Sequence, residues 1–163
     1  MTLLEKLKPC PEWLDYIKQF STLEEAWNKS NRSDWMWWIL RRTKRMSRKL
    51  PAIYAQKCIE HMNIELASYD KSNAYYVNAA DVSNHANKYN EMIHISKAAI
   101  NAELTANYAR WAIALAASAK IFYNNNMRDN DAADKAHTTV YNAQLKQQAN
   151  ILRSLTPNPF KTL

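Results

Sequence analysis

The chain has 163 residues, 47% hydrophobic and 11% aromatic, with 22 basic against 15 acidic side chains and a net charge of +7, which suits one folded domain spanning 1–163 rather than a disordered chain or two domains. It contains no glycine, so a Walker loop, a GxGxxG turn, a GxSxG elbow and glycine-based tight hairpins have no candidate segment, and an all-α fold is the remainder. Cys10 and Cys58 are the only cysteines, too few for a disulfide scaffold or an all-cysteine zinc site, and a reducing cytoplasm is the expected setting.

The first residues, LLEKLK, have a capping-box spacing from Thr2 to Glu5 and predict a short helix stopped by Pro9; no secretion signal is recognisable. Pro11 suits the first turn of a second helix over PEWLDYIKQF, with Trp13, Leu14 and Ile17 on one face. Ser21 or Thr22 is expected to cap a third, with Glu24 and Glu25 at matching offsets and Ala26 and Trp27 inward.

Asn31 or Ser33 would cap the next segment, Asp34 to Lys49, DWMWWILRRTKRMSRK. Between Trp35 and Ile59 there is no acid, and the seven Lys/Arg there match the whole net charge. The excess therefore sits in one place, and such a field attracts phosphate, nucleic acid, anionic lipid or an acidic protein. Arg41 and Arg45 are four apart, as are Lys44 and Arg48, and Arg42 and Lys49 are seven apart. A continued helix would present them as adjacent cationic rows.

Pro51 opens a helix to about Tyr69 with the stripe Ile53, Tyr54, Cys58, Met62 and Leu66, and Asp70 to Asn73 forms a polar joint. From Ala74 to Tyr123 the expectation is a helix broken near Ser83 to Asn87 and then a long one, its core stripe Ile93, Ile100, Leu104, Trp111, Leu115 and Phe122. Interleaved alanines permit close helix approach. NNNMRDND reads as a loop, and Asp131 opens a last helix to about Leu155, stopped by TPNPF. The result is a compact bundle of about six or seven helices, short N-terminal ones on long alanine-rich C-terminal ones. The uncharged run Trp111 to Ala119 is about half the length of a spanning helix, so no membrane association is expected.

Two separated patterns, CPEWLDYI…TLEEAW…RxDWMWWILRR and QxxxxR…PNPF, taken together resemble a group of small all-helical bacterial and phage proteins labelled immunity proteins. Ala26, Trp27, Arg32, Asp34, Trp35, Met36, Trp38, Arg153, Asn158 and Phe160 carry the match. Ser30, Trp37 and Thr156-Pro157 depart from it, standing where members have cysteine, leucine and glycine. The resemblance implies toxin, host or phage conflict and supports binding rather than catalysis.

Trp13, Trp27, Trp35, Trp38 and Trp111 are expected in an aromatic core, with Trp37 the tryptophan that would lie exposed to stack on a base or anchor a partner. Arg41, Arg42, Lys44, Arg45, Arg48 and Lys49 form the candidate anion-binding face, against the plainer reading of a solvated helix end. Arg110 joins that face if it points into a cleft beside it, and otherwise pairs with an acid such as Glu103. Glu91 with His94 and His61 with Glu65 lack the second Glu-x-x-His step of a di-metal bundle, so no metal and no cofactor are expected. No catalytic constellation is recognisable. The expected function is a non-enzymatic binding protein of the immunity or anti-defence type that sequesters an acidic protein surface or a signalling nucleotide. The alternative is a nucleic-acid-binding regulatory protein, and whether the chain forms a homo-oligomer stays open.

Overall fold

The computed structural model describes residues 9–69, 76–93, 97–124 and 130–160. Among these, seven helices and no strand occur: α1 (Pro11–Ile17), α2 (Leu23–Lys29), α3 (Ser33–Arg42), α4 (Leu50–Ala67), α5 (Tyr76–Met92), α6 (Ala98–Asn124) and α7 (Asn130–Leu155). This is the helical bundle the composition predicts. The expected LLEKLK helix, the polar joint Asp70 to Asn73, and residues 125–129 of the NNNMRDND loop lie outside the described residues.

The short helices start for local reasons. Pro11 stands in the first turn of α1 after an extended Cys10, where its missing N–H costs nothing. At α2 the Thr22 hydroxyl accepts the Glu25 N–H at 3.0 Å, and the Glu25 carboxylate accepts the Ser21 N–H at 2.8 Å, which satisfies two otherwise orphaned donors. The start of α3 differs from expectation. Arg32 is the N-cap, in extended conformation and without a side-chain cap, and Ser33 is the first helical residue, fully buried. Its hydroxyl is taken up inside the bundle instead of capping.

α6 is the central helix and packs against α5, α7 and α4. Its buried side is small: Ala102, Ala106, Ala109, Ala112 and Ala116 are at most 2% exposed. Three neighbours can close on one helix only where the facing side chains are short. Of the stripe expected as core, Ile93 is buried as expected, 4% exposed, but the residues on α6 turn partly or wholly outward. Ile100 is 39% and Trp111 42% exposed, and Leu104, Leu115 and Phe122 are half-buried. Trp111 is thus a surface residue, stacked on Tyr108 in a row with Tyr89 and His85. In α4, Tyr54, Cys58, Met62 and Leu66 are buried as expected, but Ile53 faces solvent.

The helix break also moves. α5 runs unbroken through Ser83 to Asn87, because the Ser83 hydroxyl donates to the Ala80 carbonyl and a His85 ring nitrogen meets the Asp81 carbonyl, so these polar side chains are satisfied within the helix. The chain instead turns after Met92, and Lys97 takes a positive φ of 48° before α6.

The large aromatic core comes from α2, α3 and α4. Trp27, Trp35, Trp37 and Tyr54 are at most 1% exposed. Rings of this size bury roughly 150–250 Å² each, on the order of 4–6 kcal/mol gross per residue at about 25 cal/mol per Å². Trp13 and Trp38 are half-buried at its edge and meet edge to face at 5.0 Å. The far end of the chain closes this core. Phe160 packs edge-on to Trp27 at 5.8 Å, and Arg153 donates to the carbonyls of Trp27 at 3.2 Å and Ser30 at 2.7 Å.

Candidate functional site

The basic segment is a corner, and the structure divides its six cations. α3 ends at Arg42 with Thr43 as C-cap. The Lys44 N–H donates to the Arg41 carbonyl and the Arg45 N–H to the Leu40 carbonyl, the paired bonds of a Schellman termination. That motif needs a left-handed residue just past the cap. In a chain without glycine, Lys44 supplies it at φ 54°. The helix does not continue, so the two cationic rows expected from four-residue spacing do not exist, and the side chains fan out around the turn.

Arg42, Lys44, Arg48 and Lys49 are exposed, and among the described residues none has an ion-pair partner. The Arg42 guanidinium lies over the Trp38 ring at 5.8 Å. Arg41 pairs with Glu103 at 2.5 Å. Arg45 is half-buried, donates to the Pro159 carbonyl and covers the Phe160 ring at 5.9 Å. It ties the corner to the C-terminal segment rather than facing a partner. Trp37 is no exposed anchor. It is 1% exposed, stacked on Tyr54 at 4.8 Å, and its indole N–H donates to the Ala99 carbonyl at 3.0 Å.

Arg110 lies inside the bundle, 5% exposed. Its Nη1 donates to Ser33 Oγ at 3.2 Å and to Gln148 Oε1, and its Nη2 to Asn107 Oδ1 at 3.2 Å. The Tyr141 ring lies 5.5 Å from the guanidinium carbon. Its Nε has no acceptor, and among the described residues no carboxylate stands within ion-pair distance. Glu103, the acid expected to pair with it, is taken by Arg41. Its hydrogen-bond partners are neutral, and the Asp34 carboxylate acts on its charge at longer range, whereas a buried cation ordinarily takes a charged partner directly.

Arg110 forms part of the lining of a pocket of about 480 Å³ between α1, α3, α4, α6 and α7. Trp13, Trp37, Tyr54 and Tyr141 supply aromatic walls, Ser33 and Asn107 neutral polar groups, and Asp34 and Glu103 two carboxylates. Burial alone would raise the Asp34 carboxyl. The Arg32 Nε and Nη2 hydrogen bonds at 3.0 and 2.8 Å, with the charges of Arg32 and Arg110, more than offset it and hold the group below its ordinary value. Burial pushes the Cys58 thiol up to about 12 against the opposing Arg110 charge and a Tyr54 hydrogen bond, so it is no nucleophile. His61 meets Gln144 at 2.7 Å and lies 4.0 Å from Glu65; His94, of the pair with Glu91, lies outside the described residues.

Sequence reasoning singled out Arg110 but not Asn107, Tyr141 or Ser33, which surround it. A signal existed. Asn107 and Arg110 are polar residues three apart within an alanine-rich helix, and Gln144 and Gln148 repeat at four on α7, a pattern that places polar groups on a packed face. Of the residues behind the expected resemblance, Trp27, Trp35 and Met36 lie in the core and Arg153 and Phe160 on α2, whereas Asp34, paired with Arg32, lines the pocket and Trp38 lies under Arg42 at the corner. No protein-family model, no curated protein and no solved structure matches the chain.

Proposed function

We propose that this chain is a non-enzymatic binding protein of the immunity or anti-defence type, which occludes an anionic partner with the corner between α3 and α4. The observation that carries this is the set Arg42, Lys44, Arg48 and Lys49, exposed and without ion-pair partners among the described residues, while Arg41 and Arg45 are engaged. Four unpaired cations on one short turn make a local positive field that steers and holds an acidic surface. The resemblance supports the same reading, since most of its matching residues build the frame, and none of them is one of the exposed cations of the corner.

The test is the double substitution Arg42→Glu with Arg48→Glu, which spares the structural Arg45. The expected result is loss of binding to immobilised polyglutamate and to any acidic partner identified by native mass spectrometry, with an unchanged helical circular dichroism spectrum. Equal binding by the variant removes the corner from the function. Nucleic-acid binding predicts a different salt response. Four cations neutralise at most four phosphates, a log–log slope no steeper than roughly −3.6, and a steeper slope on DNA or RNA of any sequence would favour that reading.

A further inference from the structure

The pocket beside the corner has the chemistry of a ring-binding site rather than of an anion hole. Its lining carries one guanidinium, Arg110, against two carboxylates, Asp34 and Glu103. Each carboxylate is paired with another arginine, Asp34 with Arg32 and Glu103 with Arg41, and the Arg110 donors are shared with Ser33, Gln148 and Asn107, so a bare phosphate or carboxylate gains little inside. A neutral planar ring needs no free charge. The half-buried Trp13 and Tyr141 offer aromatic surface for a flat ligand, and about 480 Å³ is within the ordinary size of small-molecule sites.

The polar groups are of both kinds. Arg110 donates, Asp34 and Glu103 accept, and Asn107 does either. A ring whose edge carries donors and acceptors side by side, as a nucleobase does, can satisfy such a set, whereas a plain aromatic ring leaves it unmatched. Arg110 adds an independent sign. It is 5% exposed, it lines the pocket, and its hydrogen bonds among the described residues are all to neutral groups.

The positive charge lies at the mouth. Glu103 reaches from the pocket lining to Arg41 at 2.5 Å, and Trp13, on the pocket wall, touches Trp38. Trp38, Arg41 and Arg42 line a second recess of about 410 Å³. An aromatic-walled recess and a cationic one therefore adjoin across Trp13, Trp38 and Arg41.

We propose that the two recesses take one nucleotide, the base in the Arg110 pocket with its edge toward Arg110 and Asn107, and the phosphate outside beside Arg41 and Arg42. This deepens the proposed function, resting on its reading of the corner as an anion site, and it names the anion's chemical class. The base inside provides selectivity, because an unmatched edge leaves buried polar groups unpaired, and the phosphate outside provides attraction.

The test is isothermal titration calorimetry of the full chain with AMP, GMP, CMP and UMP, their nucleosides, and inorganic phosphate. The expected result is 1:1 binding of at least one nucleotide, its nucleoside at least tenfold weaker, and no heat from phosphate. Leu104→Trp, which fills the pocket from a half-exposed position, abolishes the binding; Ile100→Trp serves if that variant melts early. Arg42→Glu weakens the nucleotide about tenfold and leaves the nucleoside unchanged. Phosphate binding as tightly as the nucleotides, or pocket-filling variants that bind normally, overturns the inference. If no nucleotide binds while polyglutamate still does, this inference falls and the proposed function stands; if neither binds, both fall.

Discussion

The indole of Trp37 stacks on the ring of Tyr54 with centroids 4.8 Å apart and planes 23° from parallel, and donates to the carbonyl of Ala99, 62 residues further along the chain. One side chain thereby joins α3, α4 and the start of α6. Trp37→Ala is expected to cost about 3–5 kcal/mol, the range for emptying a core aromatic site, and Trp37→Phe about 1 kcal/mol for the lost hydrogen bond. Trp111→Ser, at a 42% exposed position, is expected to cost less than either. Urea denaturation of the three variants checks the order, and a Trp111 penalty equal to that of Trp37→Ala would contradict the outward face of α6.

Arg153 spans the carbonyls of Trp27 and Ser30 and the Asn150 side chain. Arg153→Ala leaves the two part-buried carbonyls without this donor and should cost about 1.5–3 kcal/mol. Arg153→Lys should recover only part of that, because a single ammonium does not reproduce the planar fork. Chemical denaturation measures both.

Lys44 holds a left-handed conformation at φ 54°, a state that costs an L-residue with a Cβ roughly 1–2 kcal/mol. Lys44→Gly should therefore raise stability, by about 0.5–1 kcal/mol once the extra freedom of the unfolded glycine is counted. The same substitution removes one of the four exposed cations, so binding to polyglutamate should fall while the melting temperature rises. Movement of both in one direction would show that the turn and the charge are not separable.

Glu103 occupies Arg41 in an ion pair with both side chains well exposed. Such a pair contributes about 0–1 kcal/mol to stability, so Glu103→Gln should leave the fold nearly unchanged. It frees a fifth cation at the corner. Elution from an immobilised polyanion should shift to higher salt, and an unaltered elution would place Arg41 outside the binding face.

The Asp34 carboxyl is held below its ordinary value by Arg32. Because the folded group binds its proton less readily than the unfolded one, its contribution is complete above about pH 4, the unfolded range, and is lost as pH falls through the lower folded value. The stability gap between the wild type and Asp34→Asn should be constant from neutral pH to about pH 5 and shrink below about pH 4. Glu25 and Glu60, also lowered, keep some acid sensitivity in the variant. Denaturation midpoints across that range test the sign; a gap that widens in acid would reverse it.

Local chemistry made the short helices readable: Pro11, the Thr22–Glu25 pair and Pro51 each act within one turn, and the structure places them as their chemistry dictates. What failed needed knowledge of neighbours. Ile100, Leu104 and Trp111 have helical spacing, but spacing alone does not say which side of α6 three other helices will claim. Ser33 has the right chemistry for a cap, and only its place opposite Arg110 diverts it. Charge spacing from Arg41 to Arg48 assumed a helix that ends at Arg42, and the absence of glycine concealed a termination that Lys44 performs. Arg110 was legible as an oddity in an alanine-rich helix, but its surroundings come from α3 and α7, remote in the chain.

The alanine side of α6 inverts how this helix can drift. Lengthening Ala106 or Ala109 by one or two carbons would push against the helices packed on α6, whereas exchanging Trp111 meets solvent. Divergent copies of this chain would then keep these alanines and the buried Ile113 while changing Trp111, so a comparison weighted by side-chain size alone would mistake the outward face of the helix for its core.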